Sequence, residues 1–159
     1  THENLGSGKI ALPEIEMHTS SLWIDFTAEF LESFGGRETA WLLSYALGYL
    51  VKNIAPVYLF CDPMDIRTVS MNRSSFSGNP ALFIYDSNPG GSGLSSRLYE
   101  ILPHVMEEAA KHLSKCRCET GCPSCIGPLM GESRRIKGLV RQLIGEIIDG
   151  YQEPAPTLH

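Results

Sequence analysis

The chain lacks any apolar run long enough to cross a bilayer. Its longest such stretch, residues 41–51, is interrupted by Ser44 and Gly48. It also lacks an excess of positive charge: 13 Lys and Arg stand against 18 Asp and Glu, a net of -5, which excludes a uniformly basic nucleic-acid binder. Several catalytic signatures are missing. There is no Gly-x-Ser-x-Gly elbow for a serine nucleophile and no His-Glu-x-x-His pair for a catalytic metal. No Walker A sequence is present, because Gly93 is followed by Leu94 and not by Lys and a hydroxyl residue. No secretory or transit peptide is visible, and the chain opens on Thr1 and polar residues, which reads as a piece of a longer protein.

What is present is globular. A composition of 43% hydrophobic and 19% charged residues over 159 positions suits one compact domain. The expected division is an irregular lead-in over residues 1–14, a single domain over 15–150 and a loose tail over 151–159 with Pro154 and Pro156. Partial alternation predicts a strand at Ser21–Phe26. Thr27 is placed to cap a short helix to Phe34, ended by Gly35 and Gly36. Residues 37–53 read as a helix apolar on most faces and therefore central. Pro56 is expected to stop it, with a short buried strand at residues 57–60. Further strands are expected at Ile66–Met71 and residues 81–85, separated by a polar loop over 72–80. Residues 94–114 and 133–148 have helical periodicity, and Pro103 should kink or divide the first. The fold class is thus mixed α/β (α+β): a small sheet on a buried central helix, with two C-terminal helices flanking a cysteine loop.

The most specific chemistry lies in Cys116-Arg-Cys-Glu-Thr-Gly-Cys-Pro-Ser-Cys125. Four of the five cysteines fall in this stretch, unlike the spacing of a secreted disulfide framework, so a reducing cytoplasmic setting is expected. Zinc takes four soft ligands at tetrahedral corners. The two-residue spacer between Cys122 and Cys125 lets both sulfurs face one ion, Gly121 permits a sharp turn before them, and Cys116 and Cys118 can complete the set. One structural Zn²⁺ per chain is the favoured reading. An iron–sulfur cluster, a redox-active Cys122–Cys125 pair and disulfides are the alternatives the residues leave open. His112 is an outside candidate ligand, and Cys61 reads as a buried thiol at a strand end.

Charge is unevenly distributed around this cluster. Residues 111–141 carry Lys111, Lys115, Arg117, Arg134, Arg135, Lys137 and Arg141 against Glu119 and Glu132 alone. Such a patch suits a polyanion or a solvated helix face. A second feature is the turn Asp86-Ser-Asn-Pro89-Gly90-Gly91-Ser-Gly93 between a strand and a helix. It can present backbone N–H groups to an anion, but it lacks phosphate-loop and dinucleotide signatures and reads first as a structural turn. Asp25, Asp62, Asp65 and Asp86 lie at expected strand ends. If grouped, they could hold Mg²⁺ for a metal-dependent nuclease. His18 beside Glu14 and Glu16 reads as surface.

Ala81–Asp86, the Pro89–Gly93 turn and the Cys116–Cys125 cluster together resemble the C-terminal zinc-binding domain of DEAD/DEAH-type superfamily 2 DNA helicases. Glu16-Met-His-Thr-Ser20, Ala46-Leu-Gly48 and Asp65-Ile66 are similar to it as well, so the resemblance spans residues 12–148. Arg67 and Thr68 depart from it, where glycine is expected. The resemblance implies zinc on Cys116, Cys118, Cys122 and Cys125. It further implies an accessory domain without catalysis of its own, in a bacterial cytoplasmic, nucleoid-associated parent. That parent's ATP- and Mg²⁺-dependent core would translocate 3′ to 5′ along single-stranded DNA in repair. The domain would brace that core and guide the strand through Arg117, Arg134, Arg135 and Lys137. A docking module without DNA affinity is the remaining alternative.

Overall fold

The computed structural model describes residues 7–9, 13–18, 21–75, 77–87, 93–119, 121–127 and 133–151. Strands β1 (Ser7–Lys9), β2 (Pro13–His18) and β3 (Ser21–Phe26) lead into helices α1 (Ala28–Phe34) and α2 (Gly36–Leu59). A 3-10 turn at Pro63–Asp65 precedes β4 (Ile66–Met71) and β5 (Ala81–Asp86), and α3 (Leu94–Lys115) and α4 (Ser133–Gly150) complete the chain. The mixed α/β class is as expected. The sheet is antiparallel throughout, in the order β1-β2-β3-β5-β4.

The first two helices start from local causes. Thr27 accepts a hydrogen bond from the Phe30 N–H at 3.4 Å and caps α1. Gly35, at φ 95°, closes α1 through its own N–H to Leu31 and opens α2. Central α2 buries Ala40, Leu43, Ala46, Leu47, Leu50 and Val51 completely. It lies against β4 and β5 on one side and α3 and α4 on the other. Gly48 is what lets it come so close to the sheet: a Cβ there would stand 2.9 Å from Leu82 Cδ1 and 3.3 Å from Thr68.

Three expectations need correction. Pro56 does not stop α2, and residues 57–60 are not a strand; they are the last turn of that helix and the left-handed cap at Phe60. Proline costs the helix one hydrogen bond, but Ala55, Pro56 and Leu59 are all buried here, and that apolar contact outweighs the lost bond. The sheet is instead extended by β1 and β2, where an irregular lead-in was expected over residues 1–14. A pair of strands is stabilised by its neighbour, and β2 pairs with β3 over its whole length. Pro103 does not divide α3, which continues through it, with Leu102, Val105 and Met106 fully buried around that position. The tail beyond residue 151 and Pro89, Gly90 and Gly91 of the glycine-rich turn lie outside the described residues.

The helices pack on one face of the sheet, where Leu22, Ile24, Phe26, Leu82 and Ile84 meet α2 and α3. α4 completes the helical layer with Ile136, Val140, Leu143, Ile144 and Ile147, spaced as one amphipathic face. The cysteine loop joins α3 to α4. Its ends are therefore set by two long helices that both pack on α2.

Candidate metal centre

α3 delivers the first sulfur. Cys116 caps the helix, its N–H donating to the His112 carbonyl at 3.0 Å. The chain then passes Cys118 and turns at Gly121, whose φ of 94° is left-handed. A tight turn follows: the N–H groups of Cys125 and Gly127 both donate to the Cys122 carbonyl at 3.0 Å. Gly127, at φ 83°, lets the backbone lie flat on the Tyr49 ring of α2.

The result is a four-sulfur cluster whose Sγ atoms all lie within 4.8 Å of one another. Cys116 and Cys118 are 3.4 Å apart, Cys116 and Cys122 3.5 Å, Cys118 and Cys125 3.4 Å, and Cys122 and Cys125 3.6 Å. A tetrahedron with zinc–sulfur bonds of about 2.3 Å has edges of about 3.8 Å, so the four atoms sit close to the corners one such ion needs. All five cysteines are free thiols, as the separations require, since a disulfide brings its sulfurs to about 2.05 Å. The soft donor set and closed shell fit one structural Zn²⁺.

The thiols differ in their readiness to ionise. Hydrogen bonds from the Ser124 hydroxyl and backbone hold Cys122 down to about 6. Burial pushes Cys125 up to about 12. Burial also works to raise Cys118, but hydrogen bonds from Cys125, Cys116 and Lys137 outweigh it and leave the thiol below its ordinary value. Cys122 is thus largely a thiolate at pH 7. Zinc uptake at that pH is expected to release fewer than four protons per ion, a count read by calorimetric titration in buffers of different ionisation enthalpy. Release of four would mean that the loop loses this geometry without metal.

Three helices hold the loop from outside. Asn53 of α2 donates through Nδ2 to the carbonyls of Pro123 and Cys125, both at 3.2 Å. His112 of α3 is hydrogen-bonded through Nε2 to the Ser124 carbonyl, which makes it a support of the loop and leaves it outside the ligand group. Lys137 of α4 donates to the carbonyls of Cys116 at 3.1 Å and Cys118 at 2.6 Å, with Cys118 Sγ at 3.3 Å. Sequence reasoning missed Asn53 entirely, because an asparagine on an apolar helix carries no signal of a partner 70 residues away.

The other candidate residues are spread over the fold. Asp25 accepts from Ser77 at 2.6 Å and Asn79 at 3.2 Å and so fixes the 72–80 loop. Asp62 caps the 3-10 turn at Met64, and Asp65 returns a bond to the Asp62 N–H. Asp25 faces Ala81 at one end of β5, while Asp86 forms the other end. Asp62, Asp65 and Asp86 lie at one end of the β4–β5 pair, beside Cys61, and Asp25 at the other, so the four do not form one group. Among the described residues, the four cysteines are the only group of three or more His, Cys, Asp or Glu residues placed to share an ion. Asp86 and Gly93 bound the glycine-rich turn, Gly93 standing left-handed at the start of α3. Arg117 is exposed on the loop and Arg134 is in the first turn of α4. Arg135 is exposed, with its guanidinium reaching the α1–α2 junction at Gly35. Lys137 is buried and turned inwards, which removes it from the expected DNA-facing set. Cys61 is half-buried beyond the end of α2, and not at a strand end.

The profile of the MrfA Zn-binding domain matches residues 47–126, from the middle of α2 through the last cysteine. The ATP-dependent helicase YprA of Bacillus subtilis is 37% identical over 148 residues, covering 92% of this chain and 19% of the relative. Protein MJ1572.1 of Methanocaldococcus jannaschii is 35% identical over 85 residues, covering 52% of this chain and 76% of the relative. The crystal structure of the DUF1998 helicase MrfA bound to DNA superimposes with a TM-score of 0.72 at 36% identity, over 91% of this chain and 19% of that one. The chain thus spans about a fifth of the length of its helicase relatives. With its four converging cysteines inside the matched segment, the chain belongs to the MrfA Zn-binding domain family.

Proposed function

We propose that this chain is the zinc-binding accessory domain of an ATP-dependent DNA helicase, with Cys116, Cys118, Cys122 and Cys125 holding one Zn²⁺. The observation that carries this reading is the approach of four sulfurs to tetrahedral spacing within the family's matched segment. The ion, once bound, would tie the C-terminal end of α3 to the turn at Cys122 and Cys125 and contribute stability, not catalysis. The chain's own residues do the rest: Asn53 and His112 orient the loop's carbonyls, and Gly121 and Gly127 shape its turns.

In this reading the domain braces the helicase core of the same longer chain, in a bacterial cytoplasmic repair enzyme that moves 3′ to 5′ on single-stranded DNA. ATP and Mg²⁺ belong to that core. No helix among the described residues is long and apolar enough to cross a membrane. A contact with the DNA strand falls to Arg117, Arg134 and Arg135, around the cysteine loop and the start of α4. A DNA-bound structure of a similar helicase supports DNA as the partner. Such contacts act through phosphates and are sequence-independent and salt-sensitive.

The test combines elemental analysis with titration of labelled single-stranded DNA. About one zinc per chain is expected. DNA affinity should fall with salt, and each of Arg117→Gln and Arg135→Gln should lower the slope of log affinity against log salt by about 0.7. Full zinc with no DNA binding at either low or moderate salt would leave a docking module. Mg²⁺-dependent cleavage lost in Asp86→Ala would overturn the accessory role in favour of a nuclease.

A further inference from the structure

Lys137 is 9% exposed, although it sits in the most basic stretch of the chain. A buried ammonium is costly unless its hydrogen bonds and its charge are both met. The hydrogen bonds are met: three acceptors, the carbonyls of Cys116 and Cys118 and the Cys118 sulfur, lie at 3.1, 2.6 and 3.3 Å from Nζ. The charge is not met by a carboxylate, since among the described residues none pairs with it. What faces it is the cysteine cluster.

We infer that Lys137 is the positioning cation of the metal centre, orienting and partly neutralising the four-thiolate site while tying α4 to it. This rests on the proposed ligation of one ion by the four cysteines. Four thiolates around one divalent cation carry a net charge of -2, and in a partly buried loop that excess disfavours the ionised ligand set. One ammonium against Cys118 halves it. The same group also holds two carbonyls just past the C-terminal end of α3, where the helix dipole favours a cation. Metal, α3 and α4 thereby meet at a single side chain. Groups that hydrogen-bond to metal ligands fix ligand orientation and tune the metal, and their loss commonly lowers metal affinity about 10- to 100-fold. An external DNA-contacting lysine would show the opposite pattern, with an exposed ammonium and no intramolecular acceptors.

The experiment uses the 159-residue chain, with Lys137→Gln and Lys137→Arg beside the unmodified protein. Zinc affinity is read by competition with a chromogenic chelator. The ligand field is read from the thiolate-to-cobalt charge-transfer band after loading with Co²⁺. Lys137→Gln is expected to lose about 10- to 100-fold in zinc affinity. Its charge-transfer band should move to lower energy, because an N–H···S bond stabilises the sulfur lone pair that donates the electron. Lys137→Arg, which keeps the charge, should recover most of the affinity. If Lys137→Gln does not fold, the arginine variant carries the test alone: near-normal affinity supports the inference, and a loss of 10-fold or more overturns it. Normal affinity and an unmoved band in Lys137→Gln overturn it. Equal losses in both variants with an unmoved band also overturn it, since they report packing alone. An unmodified chain that takes up neither ion overturns the cysteine reading itself, a result distinct from the others.

Discussion

Cys125→Ser is expected to lose stoichiometric zinc and to unfold about 8–16 °C below the unmodified chain. Cys125 is fully buried, beside Ile126, which is buried too. Its sulfur accepts the Cys122 N–H at 3.3 Å and stands 3.4 to 3.6 Å from two other sulfurs. A serine hydroxyl at that place stays protonated at neutral pH and is a poor zinc ligand, so three sulfurs remain for four corners. Structural zinc contributes about 10–16 kcal/mol of apparent binding free energy to peptides that have no other core. Here the sheet and α2 supply a core of their own, so most helical signal should survive. The loss should concentrate at the cysteine loop and the neighbouring turns of α3 and α4. A deficit of about 4 kcal/mol corresponds to roughly 8–16 °C for a domain of this size. Thermal unfolding followed by circular dichroism, with elemental analysis on the same samples, measures both quantities. Cys61→Ser is the control, because Cys61 is outside the cluster, and it should keep full zinc. Full zinc in Cys125→Ser would remove this cysteine from the ligand set.

The second large effect is expected at Gly121→Ala. The residue has φ 94°, where an L side chain is strained by roughly 1–2 kcal/mol. The new Cβ would also stand 2.6 Å from the Gly127 carbonyl oxygen and 3.0 Å from Ile126 Cγ1. Neither neighbour can yield easily. The Gly127 backbone is pinned between its bond to Cys122 and the Tyr49 ring, and Ile126 is completely buried. Conformational strain and overlap together should cost about 3 kcal/mol and weaken zinc binding, since Cys122 follows directly. Gly78→Ala gives the comparison. Its φ of 75° carries the same conformational penalty, but no atom lies within 4 Å of the new methyl, so about 1–2 kcal/mol is expected. Denaturant unfolding of both variants separates the two contributions. Equal losses would show that the knuckle accommodates the methyl and that only φ matters.

The metal centre was legible before any fold was known because its ligands are local. Four cysteines within ten residues need only a turn to meet, and Gly121 announces that turn. The supports of the centre were not legible. Lys137 and Arg135 are both basic residues near the start of α4, and nothing in their spelling separates the one that points into the loop from the one that lies exposed. The helix phase relative to α3 separates them, and that phase is set by Ile136, Val140 and Leu143 packing into the layer. The aspartates make the same point. Each stands near the end of a regular element, but strand order and register put Asp25 and Asp86 at opposite ends of β5.

The sequence by itself determined the class of the domain, the Thr27 cap, the central position of α2, the periodic faces of α3 and α4 and the four-sulfur cluster. These depend on contacts within a few turns of chain, where spacing, capping and side-chain type act directly. Only the tertiary structure decided that α2 runs on through Pro56, that β1 and β2 extend the sheet, and that Asn53, His112 and Lys137 converge on one loop. Those outcomes depend on surfaces brought together from distant parts of the chain, where burying Ala55 and Leu59, or pairing β2 with β3, outweighs the local preference for a break or an irregular segment.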